Sequence, residues 1–523
     1  MANILDWNVE DSEFWESTGK KIAGRNLWIS VPCLLLAFAV WLMWSIIIVQ
    51  MQNLGFSFDP DPAKHTALLY TLPAIAGLAG ATLRIPNSFL IAVGGGRNVI
   101  FASTALLLIP TIGVGMALQD TSTSYMTFAI LAGLSGFGGG NFASSMSNIS
   151  FFFPKRVQGS SLGINAGLGN LGVSVMQVFL PIAMGFALFG ALGGDGFPLP
   201  EAIGDKAAGT IVFIQNAGLT WVPLVAVFAI AAWFGMNNLS HVSPTSDQTL
   251  KALAKILFLI LLGLVAAGVG LFLLLGLGWN MWIVLPITIV LTVLLMKYLS
   301  PGELKDSLNK QFAIFGNKHN WIMTIIYTMT FGSFIGYSAA FPKLIQDVFG
   351  MLPDGSINPN APNPFMYAWL GPLVGSLIRP VGGWVSDKIG SGSKVTQWTT
   401  VAMITAALGV AYFVVKAGQS TTPEDYFFPF LILFLILFIT TGIGNGSTFR
   451  SIPYIFESKQ AGPVLGWTSA VAAYGAFIIP KVFGQQIGAG HAEYALYGFS
   501  VYYSLCLILN WWYYARKNSE IDC

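Results

Sequence analysis

The chain has 523 residues, of which 54% are hydrophobic and only 9% charged, with a formal net charge of +2. So few charges leave no room for a sizeable soluble domain, and the near-neutral balance excludes a nucleic-acid partner. Three cysteines, Cys33, Cys506 and Cys523, have neither metal-ligand spacing nor an even disulfide framework, so no metal or disulfide role is expected of them.

Segment 1–26 is polar, with Lys20, Lys21 and Arg25 just ahead of the first apolar run and no apolar signal core before them, so it is expected to remain cytoplasmic and uncleaved. Apolar runs of about 20 residues, long enough to cross about 30 Å of hydrocarbon, then recur to the end. They predict helices at 27–52, 65–93, 98–118, 123–153, 158–190, 210–237, 254–276, 279–298, 320–346, 363–389, 394–416, 426–456, 461–486 and 493–515. No stretch alternates as a barrel strand would. The fold class is an all-α polytopic membrane protein. With the N-terminus inside, Arg97, Lys155, Arg156, Lys251, Lys297, Lys305, Lys310, Lys318, Lys388, Lys394, Lys459, Arg516 and Lys517 fall on the cytoplasmic side. The opposite loops carry Asp59, Asp61, Asp120, Glu201, Asp205, Asp354, Glu424 and Asp425, an asymmetry that supports this orientation.

A shift of 303 positions brings Gly139 onto Gly442, Ser144 onto Ser447, Ile149 onto Ile452, Phe153 onto Phe456, Gly159 onto Gly462, Gly163 onto Gly466 and Gly172 onto Gly475 without a gap. Two similar halves follow, with a midplane site expected between them. The layout read from this is a six-helix bundle over 27–240, an inserted transmembrane hairpin over 251–301, a second six-helix bundle over 318–515 and a cytoplasmic tail over 516–523, about fourteen spans in all. The hairpin has almost no polar side chain between Ile256 and Leu275, which makes it a poor pore lining and a lipid-facing pair by expectation.

Charges within spans cost roughly 2.5–3.5 kcal/mol on insertion scales, so each needs a reason. Arg84, in Gly-Ala-Thr-Leu-Arg-Ile-Pro, and Arg379, in Gly-Ser-Leu-Ile-Arg-Pro, occupy equivalent places in the two halves, each followed by a glycine-rich inner loop. No intramembrane Asp or Glu accompanies either. Two facing guanidinium groups, planar and permanently charged, suit a small flat oxyanion, the alternative being that each snorkels or bonds backbone carbonyls as a structural residue. Arg450, near the inner end of its helix, is expected to face a loop or a gate. In Gly383-Trp-Val-Ser-Asp-Lys-Ile-Gly390, Asp387 is expected to bond a neighbouring helix terminus and help lock one conformation.

The stretch from Gly136 to Gln177 sets small residues and amides in a membrane-hydrophobic context: Gly-Phe-Gly-Gly-Gly-Asn-Phe-Ala-Ser-Ser-Met-Ser-Asn, then Asn-Ala-Gly-Leu-Gly-Asn-Leu-Gly-Val-Ser. It resembles the nitrate signature of the nitrate/nitrite porter family of the major facilitator superfamily, and the resemblance extends to the arginine-bearing helices and to Leu27–Val49. It implies the major facilitator fold and membrane transport of nitrate and nitrite. It also implies site walls: Phe142 in the signature and Tyr327 and Phe331 in Tyr-Thr-Met-Thr-Phe place rings against the faces of a planar anion, and Asn170 matches a position near it. Tyr327 and Phe331 are four apart and so share a helix face, a spacing that packing alone also produces. Gly136, Gly138, Gly139, Gly140, Gly163, Gly167, Gly169 and Gly172 are read as close helix contacts that slide during alternating access. Without a Lys-Ser/Thr ending or a preceding strand, the run is no phosphate-binding loop.

His65, His241, His319 and His491 lie at span ends or in loops, which excludes a haem-holding redox subunit. A channel, a sensor and an organic-anion porter stay open on residues alone. The expected substrate-binding residues are therefore Arg84, Arg379, Phe142, Tyr327, Phe331 and Asn170, with no cofactor, no metal and no enzymatic role. The expected partners are nitrate, nitrite and membrane lipid, and the protein is expected to act as a monomer in the plasma (inner) membrane with both termini cytoplasmic. With no Asp, Glu or His near the midplane of a span, nitrate/nitrite antiport is favoured over nitrate/proton symport, for which a loop residue such as Glu457 could carry the proton.

Overall fold

A computed structural model describes residues 3–203, 206–243, 246–456, 458–521 and 523, and most of them are helical. Asp205 and Glu457 lie outside the described residues, as do the side chains at Lys155, Arg156, Gly159, Lys310, Lys459 and Gly462. Local chemistry sets the helix starts. Asp61 accepts from the Ala63 N–H, with Pro62 at the first helical position, where a missing N–H is harmless. Ser124, Asn280, Asn317 and Ser391 cap four further helices in the same way.

The membrane helices are α1 (Lys20–Leu42), α2 (Trp44–Asn53), α3 (Pro62–Asn87), α4 (Gly96–Ala105), α5 (Leu108–Ala117), α6 (Tyr125–Phe152), α7 (Lys155–Ala183) and α8 (Trp221–Gly235). The hairpin α9 (Thr249–Leu271) and α10 (Met281–Leu299) follows. Then come α11 (Lys318–Tyr327), α12 (Ser333–Phe349), α13 (Leu370–Leu377), α14 (Arg379–Ile389), α15 (Gly392–Gly418), α16 (Phe427–Ile455), α17 (Ser458–Ala472), α18 (Gly475–Gly488) and α19 (Ala492–Asn510). Among the described residues, eleven helical stretches are long and apolar enough to cross a membrane. The other three expected spans are helical too, but α6 is rich in glycine and serine and the two later ones are broken into α13 with α14 and α17 with α18. These less apolar elements carry Phe142, Arg379 and Ser469, so the departure from uniform hydrophobicity marks the interior rather than the lipid face. The span expected at 210–237 starts late, because Ile211–Val212 pairs with Phe197–Pro198 in a short antiparallel hairpin.

The internal repeat has a structural counterpart. Gly139 of α6 packs against Gly80 of α3, one turn before Arg84, and Gly442 of α16 packs against Gly375 of α13, one turn before Arg379. A Cβ at either crossing would strike backbone. Gly163 and Gly167 correct the expectation of close contact at every signature glycine, since a Cβ there meets open space.

The hairpin differs from its expected role as well. Leu257, Leu261, Val265, Trp282 and Val290 are exposed, as a lipid-facing pair requires. Yet Gly263 of α9 packs on Leu83 and Pro86 beside Arg84, and Val293 of α10 borders the central cavity. A wholly apolar run can wall a cavity whose chemistry is supplied from elsewhere.

Both ends of the chain lie against the face that carries the basic loops. Asn3–Ile4 pairs in parallel with Asn238–Leu239, and Trp7 donates to the Phe151 carbonyl at 3.1 Å. Ser391 and Ser393 donate to the Cys523 carbonyl, each at 2.6 Å. Cys33, Cys506 and Cys523 are buried.

Candidate functional site

Arg84 is fully buried in α3. Its Nε donates to the Gly139 carbonyl at 2.9 Å and its Nη1 to the Ser469 carbonyl at 3.4 Å, so the guanidinium spans elements from both ends of the chain. Arg379 opens α14, with Pro380 next to it, and is 7% exposed. No carboxylate pairs with either arginine among the described residues. Nη2 of Arg84 and both Nε and Nη2 of Arg379 are buried without a protein acceptor. Buried donors are nearly always satisfied, and a charged one left unpaired costs more than a neutral one. These nitrogens therefore define a place where an acceptor is strongly favoured.

Aromatic rings surround the charges. The Arg84 guanidinium carbon lies 5.0 Å from the Phe142 ring centre, 5.3 Å from Phe331 and 5.4 Å from Trp41. That of Arg379 lies 4.2 Å from Phe334 and 5.5 Å from Phe331. One ring, Phe331, is thus within cation–π reach of both charges. It sits in the wide helical turn Thr328–Gly332 that joins α11 to α12, a departure from α-geometry often found at functional positions. Phe331 stacks on Tyr327, with centroids 5.7 Å apart and planes at 12°, and on Phe142 at 6.2 Å and 25°. Asn445, on the repeat of the signature, donates to the Tyr327 hydroxyl at 3.3 Å.

Five of the six residues expected from sequence therefore meet in one cluster. Asn170 stands apart: it is fully buried in α7, its Nδ2 donates to the Ala166 carbonyl at 2.7 Å, and no hydrogen bond or ring contact joins it to the arginines. Its Oδ1 has no partner, so as placed it offers an acceptor where an anion needs a donor. Trp41, Phe334, Asn445 and the Gly139 and Ser469 carbonyls were not legible as site groups. Arg450 meets Asp387 at 3.4 Å and covers the Tyr454 ring at 3.9 Å, so Asp387 bonds a side chain of α16 rather than a helix terminus.

A cavity of about 560 Å³ leads from this cluster toward the basic face. Phe142 and Ser469, both in contact with Arg84, line its deep end, and exposed Phe151 lies at its rim. Toward the acidic face the molecule is shut. Among the described residues, six side-chain hydrogen bonds link residues before 240 to residues after 318. Two lie at the level of the site: the Thr82 and Tyr474 hydroxyls, 2.7 Å apart, and Arg84 with Ser469. The other four lie beyond it. Gln346 donates to Asn53 at 2.5 Å, Gln177 to the Ser338 carbonyl at 3.0 Å, Ser174 to the Trp369 carbonyl at 2.6 Å and Lys481 to Thr71 at 2.8 Å. The cavity approaches the arginines from the basic side, through Phe142 and Ser469, and the opposite side is closed, as a carrier requires and an open channel does not.

No protein-family model matches the chain. Among curated proteins it is 38% identical to a probable nitrate/nitrite antiporter, NarK2, of Thermus thermophilus, over 99% of this chain and 98% of that one. It is 35% identical to the nitrate/nitrite transporter NarU of Escherichia coli K12, over 98% of this chain and 96% of the relative. Among solved structures it is similar to the xylose transporter XylE from E. coli, with a TM-score of 0.60 and 12% identity over 94% of this chain and 97% of that one. That last likeness speaks for the fold alone.

Proposed function

Because the chain belongs to the nitrate/nitrite porter family of the major facilitator superfamily, we propose that it carries nitrate and nitrite across the cell membrane by alternating access, exchanging one for the other. The observation that carries this reading is the pair of buried arginines with unpaired donors and no carboxylate, sharing the Phe331 ring. A planar anion between them accepts in-plane hydrogen bonds from the two forks and lies against aromatic faces, which exclude water and leave the charge–charge attraction unscreened. Phe142, Tyr327 and Phe331 act as these walls, and Asn170 as a more distant support.

Rocking occurs between the bundles 27–240 and 318–515, with the hairpin 251–301 moving with the first. The basic face is cytoplasmic, so both termini are internal and the closed side is external. An empty carrier would have to close around two uncompensated positive charges, whereas a bound anion offsets them and lets the halves rock. Return without cargo is then slow, and exchange follows.

Proteoliposomes test this directly. Vesicles loaded with nitrite should take up external nitrate without an imposed pH gradient, and empty vesicles should not. Rapid uptake into empty vesicles driven by an inward proton gradient, with alkalinisation outside, would overturn exchange in favour of symport.

A further inference from the structure

Two more cations, Lys343 fully buried and Lys481 partly buried, lie far from the arginines, toward the acidic face, and the transport cycle described above gives them no task. The Lys343 side chain in α12 is fully buried and ion-paired with Asp347 one turn later, itself 8% exposed. Lys343 Nζ lies 5.3 Å from the Tyr70 ring centre, and Lys481 Nζ of α18 donates to the Thr71 hydroxyl at 2.8 Å. Gly484, three residues after Lys481, packs directly on the Tyr70 side chain. Consecutive residues of α3 thus cover one lysine each, and α3 comes from the opposite half of the chain to α12 and α18.

We propose that Lys343 and Lys481 form an outer capture site for the incoming inorganic oxyanion, opened when α3 separates from α12 and α18 and covered by Tyr70 and Thr71 when the outer side closes. The proposal rests on the transport reading given above. Charge arithmetic supports it: Asp347 offsets one lysine, and no carboxylate pairs with Lys481 among the described residues, so the cluster has one net positive charge. Ammonium groups are compact, mobile and strongly hydrated, and they attract an anion without demanding its shape. A site with one net charge holds an anion weakly enough to pass it on to the arginines, which hold two. Thr71 replaces the anion as the acceptor for Lys481 once the gate shuts, so the closed state does not leave that ammonium bare.

The test uses sided vesicles carrying the full chain, loaded with nitrite and supplied with nitrate, and then the reverse. Lys481→Met, nearly isosteric and uncharged, should raise the external KM for nitrate about tenfold, the weight of one charge-assisted contact. The KM measured from the cytoplasmic side should stay as it was, and Lys481→Arg should recover the external value to within about threefold, because it keeps the charge. If Lys481→Met does not insert, Lys481→Gln is read in its place. An unchanged external KM, or equal changes on the two sides, overturns the capture site and leaves Lys481 as a gate residue only. A wild-type chain that does not exchange nitrate for nitrite overturns the transport reading itself.

Discussion

Arg84 with Arg379, both buried, and Lys343 with Lys481, of which the first is buried and the second partly so, are two pairs of cations at different depths of one pathway, and the protein compensates them differently. The arginines have rings around them, and Arg84 two backbone carbonyls, but no carboxylate among the described residues, and three of their nitrogens lack an acceptor. The lysines have Asp347 and the Thr71 hydroxyl. Lys343 has a built-in counter-charge and Lys481, partly exposed, a hydroxyl, so both can be closed over in every turn of the cycle, whereas the buried, uncompensated arginines can be closed over only when cargo supplies the counter-charge. The central pair thus couples rocking to the anion, whereas the outer pair lets the outside shut whether or not an anion is present.

The largest way to break this contrast is to remove the built-in partner. Asp347→Asn strands Lys343, and losing one member of a buried pair typically costs about 3–5 kcal/mol. The closed outer side should give way first, because opening it hydrates the ammonium. Spin labels at exposed Lys64 and Ala489, at the outer ends of α3 and α18, should therefore move apart in the variant. An unchanged separation would mean that Asp347 does not stabilise closure. Next in size, Arg84→Lys and Arg379→Lys keep the charge but lose the planar fork, so each should weaken nitrate binding by roughly 1.5–3 kcal/mol, the range for hydrogen bonds to charged groups. Equilibrium binding to purified, membrane-inserted protein checks this. If either Lys variant binds as tightly as the parent, the fork model is wrong.

Phe331 gives a smaller effect. Its ring is near both guanidinium carbons, so Phe331→Leu preserves apolar volume while removing a quadrupole that serves two cations, at about 1–2 kcal/mol. Phe334→Leu touches only Arg379 and should cost less in the same nitrate titration. Equal losses would show that packing, not the shared ring, sets the affinity.

The arginine pair was legible in the sequence because a permanent charge in the middle of an apolar run has few structural explanations. The outer lysines were not. Position 343 lies near the end of the run expected at 320–346, and position 481 near the end of 461–486, where a lysine ordinarily reaches the interface with its long stem. Only the contacts with Tyr70 and Thr71 show that these two are engaged by the opposite half of the chain. Trp41 and Phe334 were hidden for a related reason: with 39 phenylalanines and 16 tryptophans in the chain, no single ring stands out until a cation lies against it. The helices themselves were readable from hydrophobic length, and the places where that reading weakened, α6 and the broken α13 with α14, are those that carry Phe142 and Arg379.

The smallest effect is expected where another lysine–carboxylate pair lies in water. Glu520 accepts from Lys318 at 2.5 Å and lies 3.3 Å from His319, and it joins the tail to the start of α11. The hydrogen bond from Lys318 holds its carboxyl below the ordinary glutamate value. A carboxyl depressed in the folded state contributes above its unfolded value, near ~4.3, and loses that contribution as the pH falls through the folded value. The tail contact should therefore be constant from neutral pH down to that region and loosen only below it. Glu520→Gln should loosen the tail at pH 7 and remove the acid step, read as faster amide exchange over 516–521. Nitrate exchange should stay within about twofold of the parent, because solvent takes over the hydrogen bonds of an exposed pair. A loss of transport as large as that from Asp347→Asn would show that burial is not what separates the two carboxylates, and the contrast drawn between compensated and uncompensated charge would then have to be rebuilt on the tail.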